Sequence, residues 1–149
     1  MSAGAARFPT AHPATAADWP ELVALRTRVF VEEQGVPQEI EQDDRDATAV
    51  HVLSRDASGR VVATGRLLVD GDRASIGRMA ADASMRGRGH GAAVLAELHR
   101  QAVLRGVREV ELHAQVAARR FYQRAGYEVV GDEYLEAGIE HVTMRRTLA

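Results

Sequence analysis

The run Arg86-Gly87-Arg88-Gly89-His90-Gly91-Ala92 is the part of the sequence whose residue types most directly imply chemistry. It stands between a stretch with strand character and a segment with helical periodicity. A glycine-rich turn that opens a helix presents backbone N–H groups with no intrahelical partner, together with the positive end of the helix dipole. Such a turn is an anion site. Gly87, Gly89 and Gly91 remove side chains where a ligand must approach the main chain, and Arg86 and Arg88 add charge suited to a pyrophosphate. Two familiar phosphate loops do not fit. A P-loop needs Gly-Lys-Ser/Thr at the helix start, where Gly91-Ala92-Ala93 stands. A dinucleotide fingerprint needs G-x-G-x-x-G early in a βαβ unit, and Gly87-x-Gly89-x-Gly91 has another spacing and lies mid-chain. The plain alternative is a glycine turn that only reverses the chain.

Other chemistries are narrowed by what the sequence lacks. There is no cysteine, which removes disulfides, thiolate metal ligands and a cysteine nucleophile. His51, His90, His99 and His113 do not stand at metal-ligand spacing, so no metal is expected. The formal charge of −2 argues against nucleic acid as a partner, since phosphate binding draws on clustered excess Lys and Arg. No segment approaches the length of a membrane span, and Met1 to Ala17 lacks the pattern of a signal peptide, so no membrane partner and a cytoplasmic location are expected. An apolar fraction of 46% in 149 residues is enough for one domain with a real core.

The elements that must position the loop can be read from periodicity. Residues 1–17 form an N-terminal segment, a first strand or a partly flexible lead, and 18–149 one domain. Asp18-x-x-Glu21 has the form of a capping box, with Leu22, Leu25 and Val29 following at helical spacing and Gly35 and Pro37 closing the helix. An acidic stretch from Glu32 to Asp46 comes next. Its plain reading is a solvated surface; its functional reading is the lip of a pocket that attracts a cationic amine. Ala49–Arg55, Val61–Val69 and Ala74–Ala80 read as three strands of an antiparallel meander joined by short turns. A long helix then runs from about Gly89 to Arg105, followed by a strand at Glu109–Ala114, a short helix at Val116–Ala125, and strands at Tyr127–Val130 and His141–Arg146. The fold class is α/β: a twisted, mostly antiparallel mixed sheet with helices on both faces.

Within this order, Arg86-x-x-Gly89-x-Gly91 resembles the acyl-CoA loop of the GNAT superfamily. So does Phe121-Tyr122 on the short helix followed by Gly126-Tyr127. Gly138-Ile139-Glu140-His141-x-x-Met144 resembles an ending found in the ElaA/YjcF-like branch, as do Val29-Phe30-Val31-Glu32-Glu33-Gln34 and Ile40-Glu41-x-x-Asp44. The resemblance runs from about Asp18 to the C-terminus. Glu140 stands where that ending has proline, and Gln115 where many members have Asn.

The resemblance implies an N-acetyltransferase in which an amine attacks the thioester of acetyl-CoA directly. In its terms, Met79 and Ala80 lend backbone groups to the pantetheine arm, the loop Arg86–Ala92 (His90 and Ala92 included) holds the pyrophosphate, and Gln115 contributes nearby. Tyr122 protonates the departing thiolate. A tyrosine with a pKa near 10 can do so, although a tyrosine beside Phe121 is also an ordinary core residue. Glu33 and His141 are the candidates for the base, each with a structural reading beside it, and Arg78 reads as a partner for an acidic neighbour. The acceptor is expected to be a small-molecule or peptide amine. A CoA-binding sensor without turnover is the alternative, and a homodimer is left open, because family members are often dimers.

Overall fold

A computed structural model describes residues 9–148; residues 1–8 of the N-terminal segment and Ala149 lie outside the described residues. Among the described residues eight strands form one sheet: β1 (Ala11–Pro13), β2 (Val50–Arg55), β3 (Val61–Asp70), β4 (Arg73–Ala81), β5 (Glu109–Gln115), β6 (Glu128–Val129), β7 (Tyr134–Glu136) and β8 (Ile139–Thr147). Their order is β1-β2-β3-β4-β5-β8-β6, with β7 also paired to β8, and every pairing is antiparallel except β4 with β5. The meander expected from the turn residues is β2-β3-β4. The edge strand β1 pairs Ala11–Pro13 with Val52–Ser54.

Helices cover both faces. Helix α3 (His90–Leu104) presents Val94, Leu95, Leu98 and Ala102 to Val52, Ala63, Leu67, Val110 and Met144. On the opposite face α1 (Trp19–Arg26) and the π-helical turn that continues it through Thr27–Glu33 set Leu25 and Val29 against Leu53, Val61 and Ala80. Neighbours such as Val52 and Leu53 therefore point into different cores, the period of two that a strand imposes. Helix α3 approaches closely at Gly65: a Cβ there would stand 2.8 Å from Leu98 Cδ1 and 2.6 Å from Met79 Sδ. The short segments α2 (Gln38–Glu41) and α4 (Arg119–Arg124) complete the helices.

Two local expectations change. The capping box opens at Thr15, not Asp18: the Asp18 carboxylate accepts from the Thr15 N–H and hydroxyl at 2.8 and 3.1 Å, closing a box one turn earlier. Glu21 is drawn away toward Arg55 at 3.2 Å. The acidic stretch is not one solvated face either, because α2 and a 3-10 turn at Asp44–Ala47 fold it back onto the sheet.

Candidate active site

The site begins with a defect in β4. Thr64 pairs with Ala80 and Arg66 with Gly77, so Gly65 alone faces both Arg78 and Met79. This is a β-bulge, and Arg78 adopts φ 54° within it, a conformation rare for a side-chain-bearing residue. The bulge bends β4. Its parallel pairing with β5 stops at Ile76–Leu112, although β4 continues to Ala81 and β5 to Gln115, held there by β8. The strands part, and a cavity of about 1570 Å³ opens between them, reached by Met79 and Ala80 on one side and His113 and Gln115 on the other. Beyond Ile76, β4 has no ladder partner on the β5 side.

At the far end of β4, Asp82 caps the turn by accepting from the Ser84 N–H and hydroxyl at 3.0 and 2.7 Å. The Ser84 hydroxyl, helped by Arg28 and Arg60, holds its carboxyl down at about 2. Gly87 and Gly89 then take φ 78° and 90°, turning the chain so that α3 starts at His90 with no side chain capping it. A helix of about four turns with an open N-terminus presents unpaired backbone donors of the kind an anion would need. Its backbone donors fit a pyrophosphate, and the parted edge of β4 fits an amide-bearing arm. Within the loop the side chains divide. Gly91 lies against the Phe121 ring, and Arg88 and Ala92 are exposed. The His90 ring turns inward, where Nδ1 meets the buried Ser54 hydroxyl at 2.7 Å, so His90 offers the loop its backbone and not its ring. The Arg86 guanidinium bonds Glu33 through both terminal nitrogens at 2.5 and 2.6 Å and donates Nε to the Ala81 carbonyl.

Tyr122, on α4, lines the same cavity and is buried. Its ring packs edge-on against Phe121 and Tyr127, at centroid distances of 5.0 and 5.9 Å. Burial pushes its pKa up, so the phenol stays protonated. Among the described residues no hydrogen-bond partner takes up its hydroxyl, which sets it apart from an ordinary core tyrosine. Tyr127, by contrast, bonds His99 at 2.7 Å. His141, on β8, also lines the cavity, and its Nδ1 donates to the Ile139 carbonyl at 2.7 Å. That bond assigns the ring proton to Nδ1 and leaves the Nε2 lone pair free in the neutral ring.

The family model for the acetyltransferase (GNAT) domain matches residues 15–148. The chain belongs to the GNAT acetyltransferases. It is 32% identical to the N-acetyltransferase YjcF of Bacillus subtilis, over 82% of this chain and 87% of that protein. Among solved structures, ElaA of Escherichia coli superposes with a TM-score of 0.80 at 25% identity, covering 93% of this chain and 99% of ElaA. An acyl-CoA N-acyltransferase from Pseudomonas aeruginosa gives 0.79 at 29% identity, with the same coverage. The chain is thus an N-acetyltransferase of the ElaA/YjcF-like branch, and its sheet is the acyl-CoA N-acyltransferase fold.

Within this GNAT site the nominated residues do not all stand as the sequence implied. Met79, Ala80, Gln115, Tyr122, Arg86, Glu33 and His141 all line the one cavity. Gln115 is spoken for: its amide donates to Gln34 Oε1 at 2.9 Å, tying β5 to the end of the first helix. Glu33 is spoken for as well, and the Arg86 hydrogen bonds hold its carboxyl below the usual range, which weakens it as a base. Four acids of the acidic stretch, Glu33, Glu41, Asp43 and Asp46, are paired with arginines. Glu41 pairs with Arg26, both 1% exposed. Asp46 binds Arg26 and Arg66 at 2.8 and 2.9 Å, and Asp43 binds Arg66 at 2.7 Å. The Arg66 hydrogen bond is the main reason the Asp43 carboxyl lies at about 2. Arg78 has an acidic neighbour, Asp43 at 3.3 Å, but its shorter bonds go to the Glu41 and Ile40 carbonyls.

Sequence reasoning missed Glu136, which faces His141 in the cavity, and His113, which faces Glu136 on its other side. The available signal was Ala137-Gly138. With φ 52° and 77° they make a two-residue hairpin turn that sets Glu136 opposite Ile139 and puts Tyr134, Glu136 and His141 on one face.

Proposed function

We propose that the chain transfers the acetyl group of acetyl-CoA to a primary amine of a small molecule or peptide, by direct attack in the cavity between β4 and β5. The observation that carries this reading is a buried, protonated tyrosine with an unclaimed hydroxyl in the same cavity as a histidine with a free Nε2. Bound acetyl-CoA supplies an activated acyl carbonyl and a thiolate leaving group. The backbone donors from Gly87 to Ala92 would hold its pyrophosphate, and the free edge at Met79 and Ala80 its pantetheine amides. His141 Nε2 accepts the proton that the amine loses, and the Tyr122 hydroxyl donates one to the departing sulfur. Glu33 takes no proton in this scheme; it fixes Arg86 beside the loop.

The test is thermal stability with acetyl-CoA, free CoA or ATP, followed by CoA release with spermidine, tyramine and glycinamide as acceptors. A ligand at about 100 times its Kd stabilises by about 2.7 kcal/mol, visible as a melting shift. Stabilisation by CoA and acetyl-CoA but not ATP, with release that depends on the amine, is the expected outcome. No shift with either CoA compound would refute the binding assignment.

A further inference from the structure

Glu136 stands between two histidines, and each carboxylate oxygen faces one of them. Oε2 lies 3.7 Å from His141 Nε2, and Oε1 lies 3.5 Å from His113 Nδ1. The three side chains come from β7, β8 and β5, and the strand register places them on one face of the sheet: Gln115 pairs with His141, His113 with Thr143, and Glu136 with Ile139. Burial divides them. The His141 side chain is 9% exposed, whereas Glu136 and His113 are 53% and 52% exposed. The base assigned above therefore has a ring nitrogen away from solvent and a carboxylate reaching from that nitrogen toward water. Both separations are just beyond hydrogen-bond length. A carboxylate facing an unprotonated nitrogen should keep such a distance, and the gap should close once that nitrogen carries a proton.

The surroundings hold the arrangement in place. Tyr134 stacks on His141 at 6.0 Å and meets His113 edge-on at 5.7 Å. Glu111 lies 4.0 Å from His113 Nε2, on the far side from Glu136. Of the other acids that line the cavity, Glu33 is engaged by Arg86. Ala137 accepts φ 52° in the turn beside Glu136, a conformation that costs a side-chain-bearing residue energy and points to a constraint on that turn.

We propose that Glu136 is the proton exit of this site: it takes the proton collected by His141 and passes it to His113 and bulk water. The proposal rests on the reading of His141 as the base. The amine N–H bond breaks as His141 Nε2–H forms. That proton moves to Glu136 Oε2, rotation of the carboxyl group turns the O–H toward His113 Nδ1, which takes it, and His113 releases the proton on its Nε2 to water. One proton enters and one leaves; His141 and Glu136 return to their starting states, and His113, left as the Nδ1–H tautomer, regains Nε2–H by proton exchange with water at its exposed ring. Glu136 touches no reacting atom; it acts through His141.

The experiment measures kcat for CoA release from acetyl-CoA with spermidine, tyramine and glycinamide, at low buffer and at rising imidazole concentration. Wild type is compared with His141→Gln, Glu136→Gln and His113→Gln, each checked for an unchanged fold by circular dichroism. Glu136→Gln is expected to lower kcat by about a hundredfold at low buffer, the lower end of what a positioned proton acceptor contributes. KM should hold, and imidazole should restore the rate by collecting the proton at the cavity mouth. His113→Gln should show a smaller, equally buffer-reversible loss. A Glu136→Gln enzyme within twofold of wild type, or a loss that no buffer reverses, overturns the relay. If His141→Gln is slow and Glu136→Gln is not, only the relay fails. If His141→Gln is as fast as wild type, or no amine is turned over, the base assignment fails and the relay with it.

Discussion

Replacing Tyr122 with phenylalanine separates chemistry from packing more cleanly than any other change in this site. The ring would keep its edge-on contacts with Phe121 and Tyr127. The lost oxygen has no hydrogen-bond partner among the described residues, so nothing is orphaned by its removal. Stability should therefore stay within about 0.5 kcal/mol of wild type. Catalysis should not. A general acid contributes about 10²–10⁴ in rate, which at 1.36 kcal/mol per decade is about 2.7–5.4 kcal/mol of the barrier. The loss should fall on kcat, because the hydroxyl acts on sulfur only as the thiolate departs, and KM for acetyl-CoA should hold. Because burial raises the Tyr122 pKa, the acid stays protonated through pH 9, and the wild-type rate should show no alkaline decline from this group below that pH. The assay is continuous colorimetric detection of free CoA, run beside urea unfolding of both proteins. A kcat within threefold of wild type, or a kcat loss matched by a loss of stability, would refute the role given to this hydroxyl.

Ser54→Ala removes the buried partner of His90 Nδ1 and should cost about 1–3 kcal/mol in urea unfolding. By loosening the start of α3, it should also raise KM for acetyl-CoA while leaving kcat in place. Arg26→Met leaves Glu41 buried with only Arg78, 3.9 Å away, and should cost about 3–5 kcal/mol. Adding Glu41→Leu should recover part of that loss in the same unfolding assay. Acid should destabilise the protein in a defined window. The Asp43 and Asp82 carboxyls lie at about 2 when folded and about 3.9 when unfolded, so the stability they contribute is present above about pH 4 and is lost as pH falls toward 2. The urea midpoint should be level from pH 7 to 5 and fall between 4 and 2.

The legible parts of this chain were those that repeat a local rule. Leu22, Leu25 and Val29 at helical spacing, the turn residues after Arg55 and Val69, and the glycines before α3 each carry their signal within a few residues. They gave the meander, the two covering helices and the anion loop. Glu136 was not legible, because its neighbours Glu133, Tyr134 and Leu135 show no periodicity; only the pairing of β7 with β8 brings it to His141. The partnership of Arg86 with Glu33 spans 53 positions, so no window of sequence contains it. The bulge was invisible for another reason. Arg78-Met79-Ala80 reads as plain strand, and only the mismatch of register against Gly65 shows two residues doing the work of one.

That bulge ties together two halves of the site that the sequence presents as separate. The Arg26, Arg66 and Arg78 guanidiniums arise from α1, β3 and the β4 bulge, whereas their partners Glu41, Asp43 and Asp46 all lie on one short segment. Apolar contact contributes little to holding that segment: Ile40 is 55% exposed. It is held by directed charge, which fixes position more narrowly than apolar packing, since a hydrogen-bonded guanidinium weakens quickly with angle and distance. Arg78 donates Nε to the Glu41 carbonyl at 2.9 Å and Nη2 to the Ile40 carbonyl at 3.1 Å. A side-chain-bearing residue at φ 54° costs about 1–3 kcal/mol unless its surroundings hold it there, and these bonds are such surroundings. The twist that parts β4 from β5 is thus secured by the segment that walls the cavity on its other side. Loosening Arg78 would then disturb the backbone edge at Met79 and Ala80 and the wall at Ile40 and Glu41 together.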